Sequence, residues 1–444
     1  MANFAKPSVP QFSVDVYQNE YLPAGGRDVD AVVTVTATGG GTSGTAGVTG
    51  VTAGGPAGVV IMVDCSGSMA HPPAKMEGAR AATAAAIDTL RDGTSFAVVA
   101  GNHTAVPLYP PHGRLAVAGA GTRAEAKEAL ARLTPDGGTA IGTWLRLAAA
   151  LLDGEDLAIR HGVLLTDGRN EHESPEALRA ALDACAGRFT CDARGVGTDW
   201  EVKEVTGIAS ALLGSADIVA DPAGLAADFT AMMENVMGKG VADVALRLWT
   251  PVGAELVFVK QVAPVVADLT GRRTDTGPRT GDYPTGSWGD ESRDYHIRVR
   301  VPANAVGQEM LAARTSLLVP DPAGGDARPV SQGLIRAVWT HDVAMTTAIH
   351  PQVAHYTGQA ELADAIQQGL DARKSGDRDG ATAKLGRAVQ LAAASGNADT
   401  AKLLSKVVDV VDAAAGTVRL KAKVAEADEM TLETRSTKTV RVKR

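Results

Sequence analysis

Asp64-Cys65-Ser66-Gly67-Ser68 sets one carboxylate and two hydroxyls at two-residue spacing, directly after the apolar run Val59-Val60-Ile61-Met62-Val63. A buried strand that ends in such a turn presents hard oxygen donors, the ligands that Mg²⁺ and Ca²⁺ prefer. Two later segments carry the same chemistry. Thr139 follows the turn Asp136-Gly137-Gly138, and Asp167 closes the run Val163-Leu164-Leu165-Thr166 just before Gly168. Five oxygen donors that include only two carboxylates suit Mg²⁺, with Mn²⁺ and Ca²⁺ as alternatives. The competing reading is an Asp/Ser turn that caps the following helix. It accounts for one of the three segments and not for all of them.

Such donors converge only if a sheet brings its strand ends together. Across 58–240, short apolar runs at 59–64, 95–101, 104–109, 160–167, 188–195 and 216–220 alternate with helical patterns at 74–91, 122–133, 140–153, 174–186, 200–212 and 222–237. Alternation on this scale predicts a doubly wound, mostly parallel α/β sheet, in which ligands bind beyond the carboxyl ends of strands. Asp64 and Asp167 both fall at that edge.

At these residues the chain resembles the von Willebrand factor A domain. The metal-ion-dependent adhesion site of that family reads Asp-x-Ser-x-Ser, then Thr, then Asp, and Asp64, Ser66, Ser68, Thr139 and Asp167 match all five positions. Gly67-Ser68-Met69, Gly137-Gly138-Thr139 and Thr166-Asp167-Gly168 are also typical of it. The resemblance implies a bound divalent ion with one coordination position open to an Asp or Glu of a protein partner. It implies a scaffold rather than a catalyst. Bacterial and inter-α-inhibitor-type proteins that embed such a domain in β-structure are similar in arrangement.

Other residues near the motifs read as solvated loop. Asn170, Glu171 and His172 follow Asp167, His71 and Lys75 follow the first motif, and His103 lies in a loop. Enzyme readings lack parts. A subtilisin-like triad has no nucleophile segment. A dehalogenase-type phosphatase needs an Asp where Ser66 stands, and no phosphate-binding Gly-rich loop or zinc spacing occurs. A metal-dependent hydrolase or phosphotransferase that uses the same ion is the alternative function.

The flanks have other patterns. Strand-like alternation over 1–38 and again over 241–345 predicts an antiparallel β-sandwich into which the α/β domain is inserted. Residues 39–57 read as a Gly-rich linker, and 281–289, rich in Gly, Pro and Trp, as loop. Residues 346–415 predict a small module of three helices, the last over 398–415, and 416–444 a tail or hairpin. In that tail Thr431, Thr434 and Thr437 lie between acidic and basic stretches, resembling segments that bacterial Ser/Thr kinases modify and forkhead-associated (FHA) domains read. They are candidate phosphorylation sites, against the plainer reading of a docked hairpin.

The chain of 444 residues carries a net charge of −8, which argues against a general nucleic-acid binder. Its N-terminus has no apolar signal-like region and no apolar stretch is long enough to span a bilayer, so a cytoplasmic protein is expected. Three cysteines form no disulfide framework, and free buried thiols are expected.

Overall fold

The computed structural model describes residues 10–39, 56–321 and 325–441. Most of the expected 39–57 linker lies outside them. By internal contacts the chain divides into two units. One is built mainly from Gly39–Ala242, the other from Gln11–Thr38, Asp243–Thr285 and Glu291–Arg444.

The first unit holds a seven-stranded sheet. Its order is Ala216–Val219, Thr190–Val196, Ile159–Thr166, Ala57–Asp64, Ser95–Gly101, Ala105–Tyr109, with Ala116–Val117 also pairing on Ser95–Gly101. The first five run parallel, and the last two strands are antiparallel. Val59, Ile61 and Val63 face a core shared with the helices Ala74–Thr89, Ala120–Ala131 and Leu225–Met237. Val60 and Met62, which point to the opposite face, are also fully buried. Helices on both faces explain the unbroken apolar run. Strands Ala57–Asp64 and Ile159–Thr166 are direct neighbours, and from Ala57–Asp64 the connections diverge in opposite directions. That divergence creates the crevice where such sheets bind ligands.

The second unit has two largely antiparallel sheets. One has the order Gln11–Gln18, Asp28–Thr38, Glu291–Arg300, Glu255–Ala263, Ala267–Asp268. The other has the order Thr274–Gly277, Thr280–Trp288, Val241–Trp249, Glu309–Val319, Arg328–Trp339, Tyr21–Leu22, the last pairing being parallel. Asp28–Thr38 pairs with Glu291–Arg300 along its length, so the α/β segment is inserted between two neighbouring strands. Gly333 lets the two sheets approach, since a Cβ there would stand 2.4 Å from Val16.

Three local expectations are corrected. Thr280–Trp288 is a strand, not loop: Tyr283, Thr285, Ser287 and Trp288 are buried, and Gly281 leaves room for the Arg273 side chain. The helix expected over 398–415 stops at Val407, where the β-branched Val407-Val408 and Val410-Val411 favour the strand Val408–Asp412, paired with Thr417–Leu420. The segment after that hairpin is the helix Glu426–Arg435, which packs Leu432 against the helices Pro351–Lys374, Arg378–Ser395 and Ala398–Val407. No helix among the described residues is long and apolar enough to cross a membrane. The three cysteines are free and buried.

Candidate metal centre

Asp64 is the last residue of its strand and fully buried. The backbone leaves the sheet there, and Ser66 N–H turns back to donate to Asp64 Oδ1 at 2.8 Å. The Thr166 hydroxyl, from the end of the neighbouring strand, donates to Asp64 Oδ2 at 2.6 Å. Burial pushes the Asp64 carboxyl up to about 6, against the lowering effect of the Ser66 and Thr166 hydrogen bonds.

The hydroxyls meet beside it. Ser66 Oγ and Ser68 Oγ are 3.0 Å apart, and the Ser68 hydroxyl donates to Asp167 Oδ1 at 2.8 Å. A Cβ added at Gly168 would lie 3.1 Å from Ser68 Oγ, 3.5 Å from Thr139 Oγ1 and 3.9 Å from Ser66 Oγ. Gly168 therefore borders all three hydroxyls, and a Cβ there would crowd Ser68 Oγ while meeting the other two at ordinary contact distance. The segments are tied by backbone: Gly67 N–H donates to Gly137 O at 2.8 Å and Asp136 N–H to Cys65 O at 2.7 Å. The structure thus brings Asp64, Ser66, Ser68, Thr139 and Asp167 to one edge. Asp64, Ser66, Thr139 and Asp167 are buried, while Ser68 is exposed.

Several neighbours have more to do than the sequence suggested. Lys75 is 5% exposed on the helix Ala74–Thr89. Its ammonium donates to Asp167 Oδ2 at 2.7 Å and to Asp199 Oδ2 at 2.6 Å. Asn170 accepts Ile141 N–H at 2.7 Å, which satisfies the start of the helix Ile141–Asp153 behind Thr139. Glu173 accepts the next amide, Gly142 N–H, at 2.7 Å. The exposed His103 and His172 rings pack on Gly137 and Gly138, where a Cβ would come within 2.3 Å and 2.0 Å of them. Gly137 also has φ +75°, a conformation that favours glycine. His172 Nδ1 accepts Thr139 N–H at 3.3 Å. Glu171 and His71 remain exposed loop residues.

The von Willebrand factor type A domain family matches residues 57–218, and its C-terminal domain matches residues 390–436. A solved von Willebrand factor type A protein from Catenulispora acidiphila is 51% identical, covers 100% of this chain and 99% of its own, and superposes with a TM-score of 0.92. The chain belongs to the von Willebrand factor type A family.

A more remote likeness is also seen among solved structures. The ArnB paralog VWA2 from Sulfolobus acidocaldarius is 14% identical, with 98% and 100% of the two chains covered and a TM-score of 0.58. That likeness is one of fold. Proximal thread matrix protein 1 from the mussel byssus, in a structure described as having a zinc-occupied MIDAS motif, is 26% identical over 41% of this chain and 46% of its own, with a TM-score of 0.35. None of the curated proteins compared matches the chain.

The site's donors fit a hard divalent ion. They are all oxygen, and two are carboxylates; among the described residues no group of three or more His, Cys, Asp and Glu is placed to hold a metal. Burial, and to a smaller extent the neighbouring Asp167 carboxylate, raises the cost of ionising Asp64. A dication would offset that cost.

Proposed function

We propose that this protein is a non-enzymatic scaffold that uses a divalent ion, Mg²⁺ in preference to Mn²⁺ or Ca²⁺, to take an acidic side chain of a protein partner. Asp64, Ser66, Ser68, Thr139 and Asp167 would hold the ion directly or through water. Bound there, it would supply a Lewis-acidic position for a foreign carboxylate. The observation that carries the reading is the gathering of three hydroxyls and Asp167 around Gly168, one strand away from buried Asp64.

Asp64 and Asp167 contribute two negative charges, and Lys75 returns one positive charge at 2.7 Å from Asp167. A dication bound there would balance the two buried carboxylates while Lys75 is shared between Asp167 and exposed Asp199, and the ion's open coordination position would take the incoming carboxylate. The reading takes a reducing cytoplasm as its setting, in keeping with three free buried thiols.

The narrower partner, a Ser/Thr kinase or an FHA-type reader in a signalling or ATPase-associated complex, rests on the C-terminal threonines. Thr434 is 3% exposed, and the Thr431 hydroxyl donates to Ala427 O. Thr437 is half-buried, and its carbonyl accepts Val266 N–H at 2.8 Å. Modification of Thr434 would require the helix to leave its seat, so Thr431 and Thr437 carry that reading.

The test is calorimetric titration of Mg²⁺, Mn²⁺ and Ca²⁺ into wild type and Asp64→Ala, followed by affinity capture with Mg²⁺ or EDTA. Partners lost equally in EDTA and in Asp64→Ala support the reading. Wild type that binds no divalent ion overturns it. Metal-dependent turnover of phosphate or acyl esters, abolished in Asp64→Ala, would favour the hydrolase alternative instead.

A further inference from the structure

The second unit carries, on the outward face of one sheet, an arginine–tryptophan cluster that the metal site does not use. Trp249 ends the strand Val241–Trp249 opposite Arg314 on Glu309–Val319, and Arg314 lies opposite Leu334 on Arg328–Trp339. Residues directly opposite in antiparallel strands share a face, so these three form one row across the sheet. Leu248, Thr315 and Ile335, one position along on each strand, are buried on the other face. Arg314 is exposed, Leu334 is 44% exposed and Trp249 is half-buried. A second guanidinium reaches the same indole from another element. Arg279 lies in the two-residue loop between Thr274–Gly277 and Thr280–Trp288, where Gly277 pairs with Thr280. Its Cζ is 5.6 Å from the centre of the Trp249 ring, and that of Arg314 is 5.4 Å from it. In sheet order the strand of Trp249 lies between the strand that follows Arg279 and the strand of Arg314, so the two cations come from its two sides.

Two further observations set these arginines apart. Arg279 has φ +62°, a conformation that suits Gly or Asn in such a loop. The loop is tied to the strand of Trp249, since Thr250 N–H donates to Arg279 O at 3.1 Å. A bulky residue kept at an unfavourable φ points to a use for its side chain. The charge of the pair is also not neutralised inside the molecule. Among the described residues neither guanidinium pairs with a carboxylate, and the indole is the partner of both. The acids nearest Arg279 in sequence are held elsewhere: Asp282 takes both N–H groups of Arg247 at 2.7 and 2.8 Å, and Asp275 pairs with Arg273 at 2.7 Å. Glu309, the acid nearest Arg314 in sequence, is five positions away, about 17 Å along an extended strand.

We infer that Trp249, Arg279, Arg314 and Leu334 form a docking surface for an acidic segment of a partner protein, one that sets carboxylates around an apolar residue. A guanidinium held against an indole is oriented in advance, and its N–H groups stay free to take a carboxylate in two hydrogen bonds. The indole between the two cations, with Leu334 beside Arg314, gives the apolar residue its contact. Trp and Arg are also the residues that most often dominate binding energy at protein interfaces. The net charge of −8 argues against a nucleic acid as the anion. The surface shares no residue with the metal site, so it stands or falls apart from the proposed function.

The experiment is fluorescence anisotropy with the full chain in EDTA, which silences any metal-mediated docking. The probes are a fluorescein-labelled peptide of alternating Glu and Leu, its Gln counterpart, and a labelled oligothymidylate. Wild type should bind the Glu peptide, and the Gln peptide at least about tenfold more weakly. Arg279→Gly and Arg314→Gln should each weaken the Glu peptide at least about fivefold, whereas Lys384→Gln, an exposed charge on the helix Arg378–Ser395, should leave it unchanged. Glycine adopts the Arg279 backbone freely, so the melting temperature of Arg279→Gly should not fall. No binding by wild type, equal affinity for the two peptides, wild-type affinity in both arginine variants, or an equal loss in Lys384→Gln overturns the inference. A lower melting temperature with unchanged peptide affinity in Arg279→Gly makes that residue structural and also overturns it. Tighter binding of the oligothymidylate than of the Glu peptide overturns it in favour of a nucleic-acid surface.

Discussion

Replacing Lys75 by Met separates what the charge at the metal centre does for stability from what it does for the ion. Lys75 makes two ion pairs of very different kinds. Its Asp167 partner is 0% exposed, and its Asp199 partner is 66% exposed. The pair with Asp199 is screened by solvent and contributes no more than about 1 kcal/mol. The pair with Asp167 is buried, and removing one member of such a pair costs about 3–5 kcal/mol because the other charge is left behind. Asp167 keeps the Ser68 hydroxyl at 2.8 Å, so the lower end, about 3 kcal/mol, is expected in EDTA. The same change removes a positive charge that competes with any cation for Asp167. Mg²⁺ affinity should therefore rise at least tenfold, about 1.4 kcal/mol. Urea denaturation with EDTA and with saturating Mg²⁺ measures both quantities. The gain on adding Mg²⁺ should be larger for Lys75→Met than for wild type by that increment. A variant that loses about 3 kcal/mol yet binds Mg²⁺ no more tightly than wild type would refute the charge argument and leave Lys75 a purely structural residue.

Thr166→Val removes the hydroxyl that donates to Asp64 Oδ2 at 2.6 Å, and should cost about 1.5–3 kcal/mol in EDTA, read from the denaturation midpoint. Gly138→Ala sets a Cβ 2.0 Å from the exposed His172 ring, so either that ring leaves Thr139 N–H or the turn before Thr139 shifts, and calorimetry should show weakened Mg²⁺ binding. Burial raises the Asp64 carboxyl to about 6, so the folded state holds a proton there that the unfolded chain has released; between the ordinary value near 3.8 and 6 the Asp64 contribution in EDTA worsens as pH rises. A cation needs the ionised form, so the rise in melting temperature on adding Mg²⁺ should be larger at a pH well above 6 than at one below it. Arg441→Ala strips a bidentate partner from Asp294, which keeps the Thr34 and Tyr356 hydroxyls at 2.5 Å, and should lower stability by about 2–3 kcal/mol, with Arg441→Lys in between.

The convergence of the five candidate donors was legible because their spacing and the strands before them are local properties of the sequence. Asp64, Ser66 and Ser68 lie on one turn, and the runs before Asp64 and Asp167 mark two buried strands. The supporting residues were not legible in the same way. Lys75 looked like a loop residue because its acidic partners, Asp167 and Asp199, are 92 and 124 positions away. His103 and His172 looked like surface loop because nothing local says that their rings cover Gly137 and Gly138. The paired glycines were the available signal, since a backbone stripped of two consecutive side chains implies close neighbours. Composition misled at Thr280–Trp288, where Gly and Pro sit within a strand held by tertiary packing. At Glu426–Arg435 the threonines and flanking charges drew attention, while the helix-forming Glu, Ala, Met and Leu in the same stretch pointed to the observed helix.

The pairing of Asp28–Thr38 with Glu291–Arg300 has a consequence for synthesis. Asp28 and its partner Arg300 are separated by 272 positions. At the usual elongation rate of about 5–20 residues per second, the strand at the start of the chain waits roughly 15–50 s on the ribosome before its neighbour emerges. During that interval the inserted α/β unit can complete its own sheet, whose strands all lie between Ala57 and Val219. The early hairpin, by contrast, must stay exposed with an unsatisfied edge of alternating valines. Val29, Val33 and Val35 are fully buried in the finished protein. Until Glu291–Arg300 emerges, residues 28–38 of the nascent chain are thus open to misassembly, well before the C-terminal helices exist.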